Sequence, residues 1–141
     1  MIDLTLPLDA EQLIPHRLPM RLVDRLVAID GKNGSIEADI RADCPFVSPE
    51  GLFDDIALTE LIAQAYAVIK GYVDLLDVKP VRQGFLVGIK RLTREASAIS
   101  GDRLLIEIRT LAELGDMSIA EGEIWRNEER IAFGEIKVWV N

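Results

Sequence analysis

An α+β fold, one long helix wrapped by a curved antiparallel sheet of about six strands, is what three features of this sequence predict. The run from Ile56 to Leu76 is apolar nearly all round, so a helix there must be enclosed by other protein on most sides. Two strand-like runs precede it and four follow. Among the latter, Leu104, Ile106 and Ile108 against Glu107 and Arg109 show the alternation of a half-buried strand. Short turn signals, such as Asp116 and Arg126-Asn127-Glu128-Glu129, separate the later strands.

In chain order, a short helical turn is expected around Asp9 to Leu13, ending at Pro15, which cannot donate the next hydrogen bond. Met20 to Ile29 and Ser35 to Arg41 read as strands. Asp30-Gly31-Lys32-Asn33-Gly34 between them is a hairpin signal. An irregular loop from Ala42 to Phe53 follows, punctuated by Pro45, Pro49 and Gly51. Asp54 or Asp55 can cap the helix by accepting backbone N–H bonds that otherwise lack partners. Its roughly twenty residues would span about 30 Å. The remaining strands are expected at about Gln83 to Thr93, Arg103 to Glu113, Met117 to Trp125 and Arg130 to Val140. A sheet curling around the helix satisfies all of these runs, which is the hotdog architecture. It leaves strand edges and one helix face uncovered, so dimerisation is expected.

Composition bounds the function. With 49% apolar and 28% charged residues, the 141 residues suit one globular domain spanning 1–141 rather than a disordered chain. The apolar run at Ile56 to Leu76 is interrupted by Glu60, Gln64, Lys70 and Asp74, so it reads as a buried helix and not a membrane span. A net charge of -8 argues against nucleic-acid binding, which needs a basic surface, and against adsorption to anionic membranes. No basic and apolar leader opens the chain, and the lone Cys44 excludes a disulfide framework. The expected compartment is cytoplasmic. Nothing in the residues implies a metal or an organic cofactor.

Few side chains are placed to do chemistry. Glu60 and Gln64 lie four apart on one face of the apolar helix, so they are neighbours. An ionised carboxylate buried there is costly, and its pKa should rise unless partners compensate. The plainer reading is a glutamate at a wet interface, bonded to a nearby loop. His16 is the only imidazole in the chain. A structural role, with the ring bonded to backbone, is the plainer reading of it. Catalysis by His16 would require the loop to fold over Glu60. Asp54 and Asp55 read first as helix caps. Cys44 has no basic neighbour in sequence to activate it, and Trp125 and Trp139 read as core or interface anchors. Lys90, Arg91 and Arg94, with Arg82 and Arg103 nearby, form the one basic segment that could dock an acidic carrier protein; a solvated strand end explains it equally well.

Two segments carry a family resemblance. Leu13-Ile14-Pro15-His16-Arg17-Leu18-Pro19-Met20-Arg21-Leu22-Val23-Asp24-Arg25 resembles the N-terminal signature of the beta-hydroxyacyl-acyl-carrier-protein dehydratases. Leu58-Thr59-Glu60-Leu61-Ile62-Ala63-Gln64-Ala65 resembles their central helix with its acidic residue. Gly84-Phe85-Leu86-Val87-Gly88 is similar to the strand that lines their acyl tunnel, and Ser100-Gly101-Asp102 matches the approach to the next strand. The pairing of His-Arg-x-Pro-Met with Gly-Phe-Leu resembles a divergent branch of predicted 3-hydroxyacyl-acyl-carrier-protein dehydratases, some of them encoded with bacterial aryl polyene pathways.

The resemblance implies elimination of water from a 3-hydroxyacyl thioester. In that chemistry a histidine takes the proton alpha to the carbonyl and the helix carboxylic acid protonates the departing hydroxyl. Backbone N–H groups stabilise the enolate oxygen, and the two acid–base residues come from different subunits. Glu60 matches the acid by position, whereas the family histidine that His16 matches, in the Pro-His-Arg tripeptide, is not the catalytic one. Where the family has a Gly-His-Phe-Pro loop, this chain reads Phe46-Val47-Ser48-Pro49-Glu50-Gly51-Leu52-Phe53, without histidine. Phe46, Gly84, Phe85, Leu86 and Gly88 are the implied substrate-binding positions. Gly84 and Gly88 would admit a thioester arm against the backbone, or mark a bulge where the sheet bends.

Three readings follow: a dehydratase-like subunit of fatty acid or polyketide-type biosynthesis that supplies Glu60 to a partner's histidine in a heterodimer, the assembly expected being a homodimer or a heterodimer with a related hotdog chain; an acyl thioesterase using Glu60, Asp54 or Asp55 to activate water; or a non-catalytic module that binds acyl groups or their carrier. The two enzyme readings need an open path from the Gly84 strand to Glu60.

Overall fold

The computed structural model describes residues 3–80 and 84–140, and of Phe85 the backbone only. Its elements are β1 (Leu8–Asp9), a 3-10 turn (Ala10–Gln12), β2 (Arg25–Asp30), β3 (Asn33–Asp39), α1 (Asp55–Leu76), β4 (Gly84–Arg94), β5 (Arg103–Leu114), β6 (Met117–Arg126) and β7 (Glu129–Val140). The strands form one antiparallel sheet in the order β1-β2-β3-β5-β6-β7-β4, and α1 packs against β2 through β7. This is the hotdog arrangement expected from the sequence.

Two expectations about its strands need correction. The sheet has seven strands rather than about six, because Leu8 and Asp9 pair with Leu26 and Arg25. Two residues are too few to show a period. The first long strand begins at Arg25, not Met20. Backbone groups of Met20 and Leu22 bond to the side chain of Gln64 on α1, so they are withdrawn from the ladder. Gln83, expected to open the fourth strand, lies outside the described residues, as does Arg82.

The helix forms where its cap allows. Asp54 stays extended, and its Oδ1 accepts from the Ile56 N–H at 2.9 Å. Leu58, Leu61, Ile62, Ala65 and Ile69 of α1 are almost fully buried against Leu26, Ile36, Leu104, Ile106 and Ile124 from the sheet. Each such side chain contributes about 1.5–3 kcal/mol by leaving water. The helix rides close to the sheet because Gly122 leaves room: a methyl there would lie 2.7 Å from Ile62 Cγ2. One stripe escapes enclosure, with Ile56 exposed and Glu60, Ala63 and Ala67 half-buried at helical spacing.

The β2–β3 hairpin turns through Gly31 at φ 62°, a conformation that favours glycine. Beyond it Arg25 reaches Glu37 at 2.6 Å and Asp39 at 2.8 Å, and Arg103 reaches the other Asp39 oxygen at 2.8 Å. Burial works to raise the Asp39 pKa, but bonds from the two guanidiniums outweigh it and hold the carboxyl below its usual range.

Candidate active site

The helix and the loop before β2 meet at Gln64. Its side chain is 2% exposed and makes three hydrogen bonds. The Leu22 N–H donates to its Oε1 at 2.7 Å, while its Nε2 donates to the Met20 carbonyl at 2.9 Å and to Glu60 Oε1 at 3.0 Å. Both amide protons are thereby used, so the orientation of the amide is set. One glutamine therefore pins the loop to the helix and holds the carboxylate one turn away.

Glu60 is not sealed in the core. Its side chain is 37% exposed on the uncovered stripe of α1, so the full enclosure expected from an all-apolar helix stops short of it. The loop does fold over it. His16 Nε2 lies 3.9 Å from Glu60 Oε1, and its ring is 27% exposed.

The expected bond between that ring and backbone is not formed: among the described residues, Nδ1 is buried without a hydrogen-bond partner. Arg17 bonds the neighbouring backbone instead. Its guanidinium donates to the carbonyls of Ile14 at 2.8 Å and His16 at 2.9 Å, and Glu11 steadies it at 3.4 Å. Arg17 was not among the sequence-derived candidates. The Pro-His-Arg run was the available signal, but only the folded loop reveals the clamp.

The structure separates the other candidates from Glu60, Gln64 and His16. Asp54 caps α1, and Asp55 pairs with Arg94 at 2.7 Å. Phe46 packs on the edge of the core, its carbonyl accepting from the Asp54 N–H. Gly84 and Gly88 lie in β4 opposite Val140 and Lys137, where a methyl would meet only ordinary contacts. Leu86 is 36% exposed on that strand; the side chain of Phe85 lies outside the described residues.

The basic segment is largely compensated. Lys90 faces Glu135 at 3.4 Å, Arg91 sits across from Glu135 in register, and Arg103 is tied to Asp39. Trp139 is 41% exposed on β7, and Trp125 on β6 has a buried indole N–H with no partner among the described residues.

Among the described residues, the main clefts do not join these parts into a tunnel. A cleft of about 570 Å³ opens on the outer face of the sheet between Asp30, Asn33, Glu107, Arg109 and Glu121. The cavity beside Gly84, lined by Tyr66, Gly71 and Val138, is about 20 Å³, room for a single water. Neither is lined by Glu60, Gln64 or His16. A longer ligand has to reach Glu60 from outside, along the uncovered stripe of α1. On that side β4 offers a free edge with Leu86, Val87 and Ile89 exposed.

Comparison with known proteins places these residues in a family. A family model for ApeP dehydratases, the ApeP-like family, matches residues 8–141. The chain is 30% identical over 126 residues to a 3-hydroxyacyl-[acyl-carrier-protein] dehydratase FabZ of Syntrophomonas wolfei, covering 88% of each protein. Its fold matches a chain of the dehydratase heterocomplex ApeI:P from Xenorhabdus doucetiae with a TM-score of 0.89 at 20% identity, over 95% of this chain and 91% of that one. A hypothetical thioesterase from Streptococcus pneumoniae, solved with coenzyme A, shares the fold more loosely, with a TM-score of 0.64 at 8% identity over 82% of this chain and 84% of that one. The match over nearly the whole length, with the Pro-His-Arg loop and the Glu60–Gln64 helix in contact, means that this chain belongs to the ApeP-like dehydratase family.

Proposed function

We propose that the protein acts on 3-hydroxyacyl thioesters as a dehydratase-type subunit, with Glu60 as its acid–base carboxylate. The observation that carries this is Glu60 itself: held at 3.0 Å by a clamped glutamine, yet reachable from outside on the open stripe of the central helix. A carboxyl in that position can protonate a departing hydroxyl. The curated relatives named as acting on acyl-carrier-protein thioesters supply the substrate class.

The working assembly is a dimer with a second hotdog subunit, either another copy or a related chain, as in the heterocomplex that this fold resembles. β4 and the open stripe of α1 form the face for it, and closing that face would complete an acyl groove that one chain lacks. Gly84, Phe85, Leu86 and Gly88 would line the groove, with Phe46 at its loop end. Lys90, Arg91 and Arg94 would meet an acidic carrier.

The test is turnover of 3-hydroxyacyl and plain acyl thioesters by wild type beside Glu60→Gln. Loss of water that falls roughly 10²–10⁴-fold in the variant supports the proposal. Hydrolysis lost in the same way would replace it with a thioesterase, the reading favoured by the missing loop histidine. Tight thioester binding without any turnover would make the chain a binding module.

A further inference from the structure

We infer that His16 is the second acid–base group of this site, supplied by the same chain as Glu60 and from a different segment than the 42–53 loop. The inference rests on the proposed reaction and adds its missing base. The chain has one imidazole, and the fold brings it to 3.9 Å from the one carboxylate on the open helix stripe. That spacing is longer than a hydrogen bond. Among the described residues neither ring nitrogen is spent on the protein: Nδ1 has no hydrogen-bond partner and Nε2 faces Glu60 without bonding it.

The surroundings hold this arrangement without using the ring. Arg17 grips the carbonyls of Ile14 and His16, and Gln64 grips Met20 and Leu22 farther along the loop. The loop is thus fixed on both sides of the histidine, while the imidazole is left free to exchange a proton. Leu18 and Met20, 56% and 52% exposed on the same loop, and Ile56, one helical turn before Glu60, give the site an apolar rim suited to an acyl chain.

In the reaction, neutral His16 takes the C2 proton on Nε2 and the C2–H electron pair moves onto the thioester carbonyl as an enolate, which then collapses to form the C2=C3 double bond. The C3–O bond breaks, and the hydroxyl leaves as water with the proton of the Glu60 carboxyl. His16 is then imidazolium and Glu60 carboxylate, an adjacent ion pair. Return of the proton from Nε2 to Glu60 restores both groups, so the cycle needs no further base. Arg17 is a positioning residue, since it bonds the backbone that carries the ring.

The experiment separates the two groups by isotope exchange. Purified full-length wild type, His16→Asn, Glu60→Gln and Arg17→Lys are incubated in D2O with short and medium-length acyl and 3-hydroxyacyl thioesters of coenzyme A. Deuterium at C2 and loss of water are then followed. Wild type is expected to do both. His16→Asn should lose both by roughly 10²–10⁴-fold, whereas Glu60→Gln should lose elimination yet keep C2 exchange. Arg17→Lys should lower kcat roughly 10–100-fold with KM little changed, and add nothing in the His16→Asn background.

Thermal unfolding checks that each variant is folded, and His16→Gln replaces His16→Asn if the latter is not. Elimination that survives in His16→Asn while failing in Glu60→Gln would overturn the role of His16 and leave the proposed function standing. Absence of C2 exchange by wild type alone, with elimination appearing only after a histidine-bearing hotdog partner is added, would overturn it as well.

Discussion

Gln64 joins fold and chemistry at one side chain. Its amide satisfies the buried Leu22 N–H and the Met20 carbonyl, and the same Nε2 holds Glu60. Gln64→Met keeps the volume and removes all three bonds. The buried Leu22 N–H left unpaired costs about 1–3 kcal/mol, and the part-buried Met20 carbonyl less. The variant should therefore lose about 2–3 kcal/mol of stability in urea unfolding, with any turnover reduced beyond that of a merely less stable protein. Unchanged stability would mean that water replaces the amide and that the clamp is not what positions the loop. Glu60 and Gln64 were legible as a pair because helical spacing alone makes them neighbours. Their hold on Met20 and Leu22 was not legible, since those residues lie more than forty positions away in the chain.

At the level of elements, α1 is decided by packing more than by propensity. Gly71 sits inside the helix, where alanine is ordinarily better by about 1 kcal/mol. Here a methyl would collide with the Leu13 carbonyl on the loop after the 3-10 turn. Backbone cannot yield as a side chain end can, and overpacking of this kind costs about 1–3 kcal/mol. Gly71→Ala should destabilise by roughly 1–2 kcal/mol, although an isolated helix would gain; thermal unfolding of the variant decides the sign. The helix and the four strands after it begin and end within about a residue of where caps, turn residues and alternation put them. β1 escaped notice, and β2 started late, because their pairing is set by contacts with Arg25, Leu26 and Gln64 rather than by their own pattern.

For the whole molecule, the two sheet edges differ. β1 closes one side with two residues, whereas β4 presents eleven on the other with Leu86, Val87 and Ile89 exposed beside the open stripe of α1. A long apolar edge in water is a pairing site. Ile89→Lys should weaken the dimer at least tenfold, about 1.4 kcal/mol, in sedimentation equilibrium. If the mass distribution does not move, the β4 edge is not the pairing face, and the groove proposed along it is overturned.

By itself the sequence determined the wrapped helix, the later strands, the Glu60–Gln64 pair and the absence of histidine from the 42–53 loop, since each follows from local periodicity, capping or composition. Only the tertiary structure decided that the Pro-His-Arg loop lies on α1, that Glu60 stays open to solvent and that Arg17 holds the backbone at His16. Those are contacts between segments far apart in the chain. Their energies come from buried hydrogen bonds and packing, which exist only once the sheet has closed around the helix.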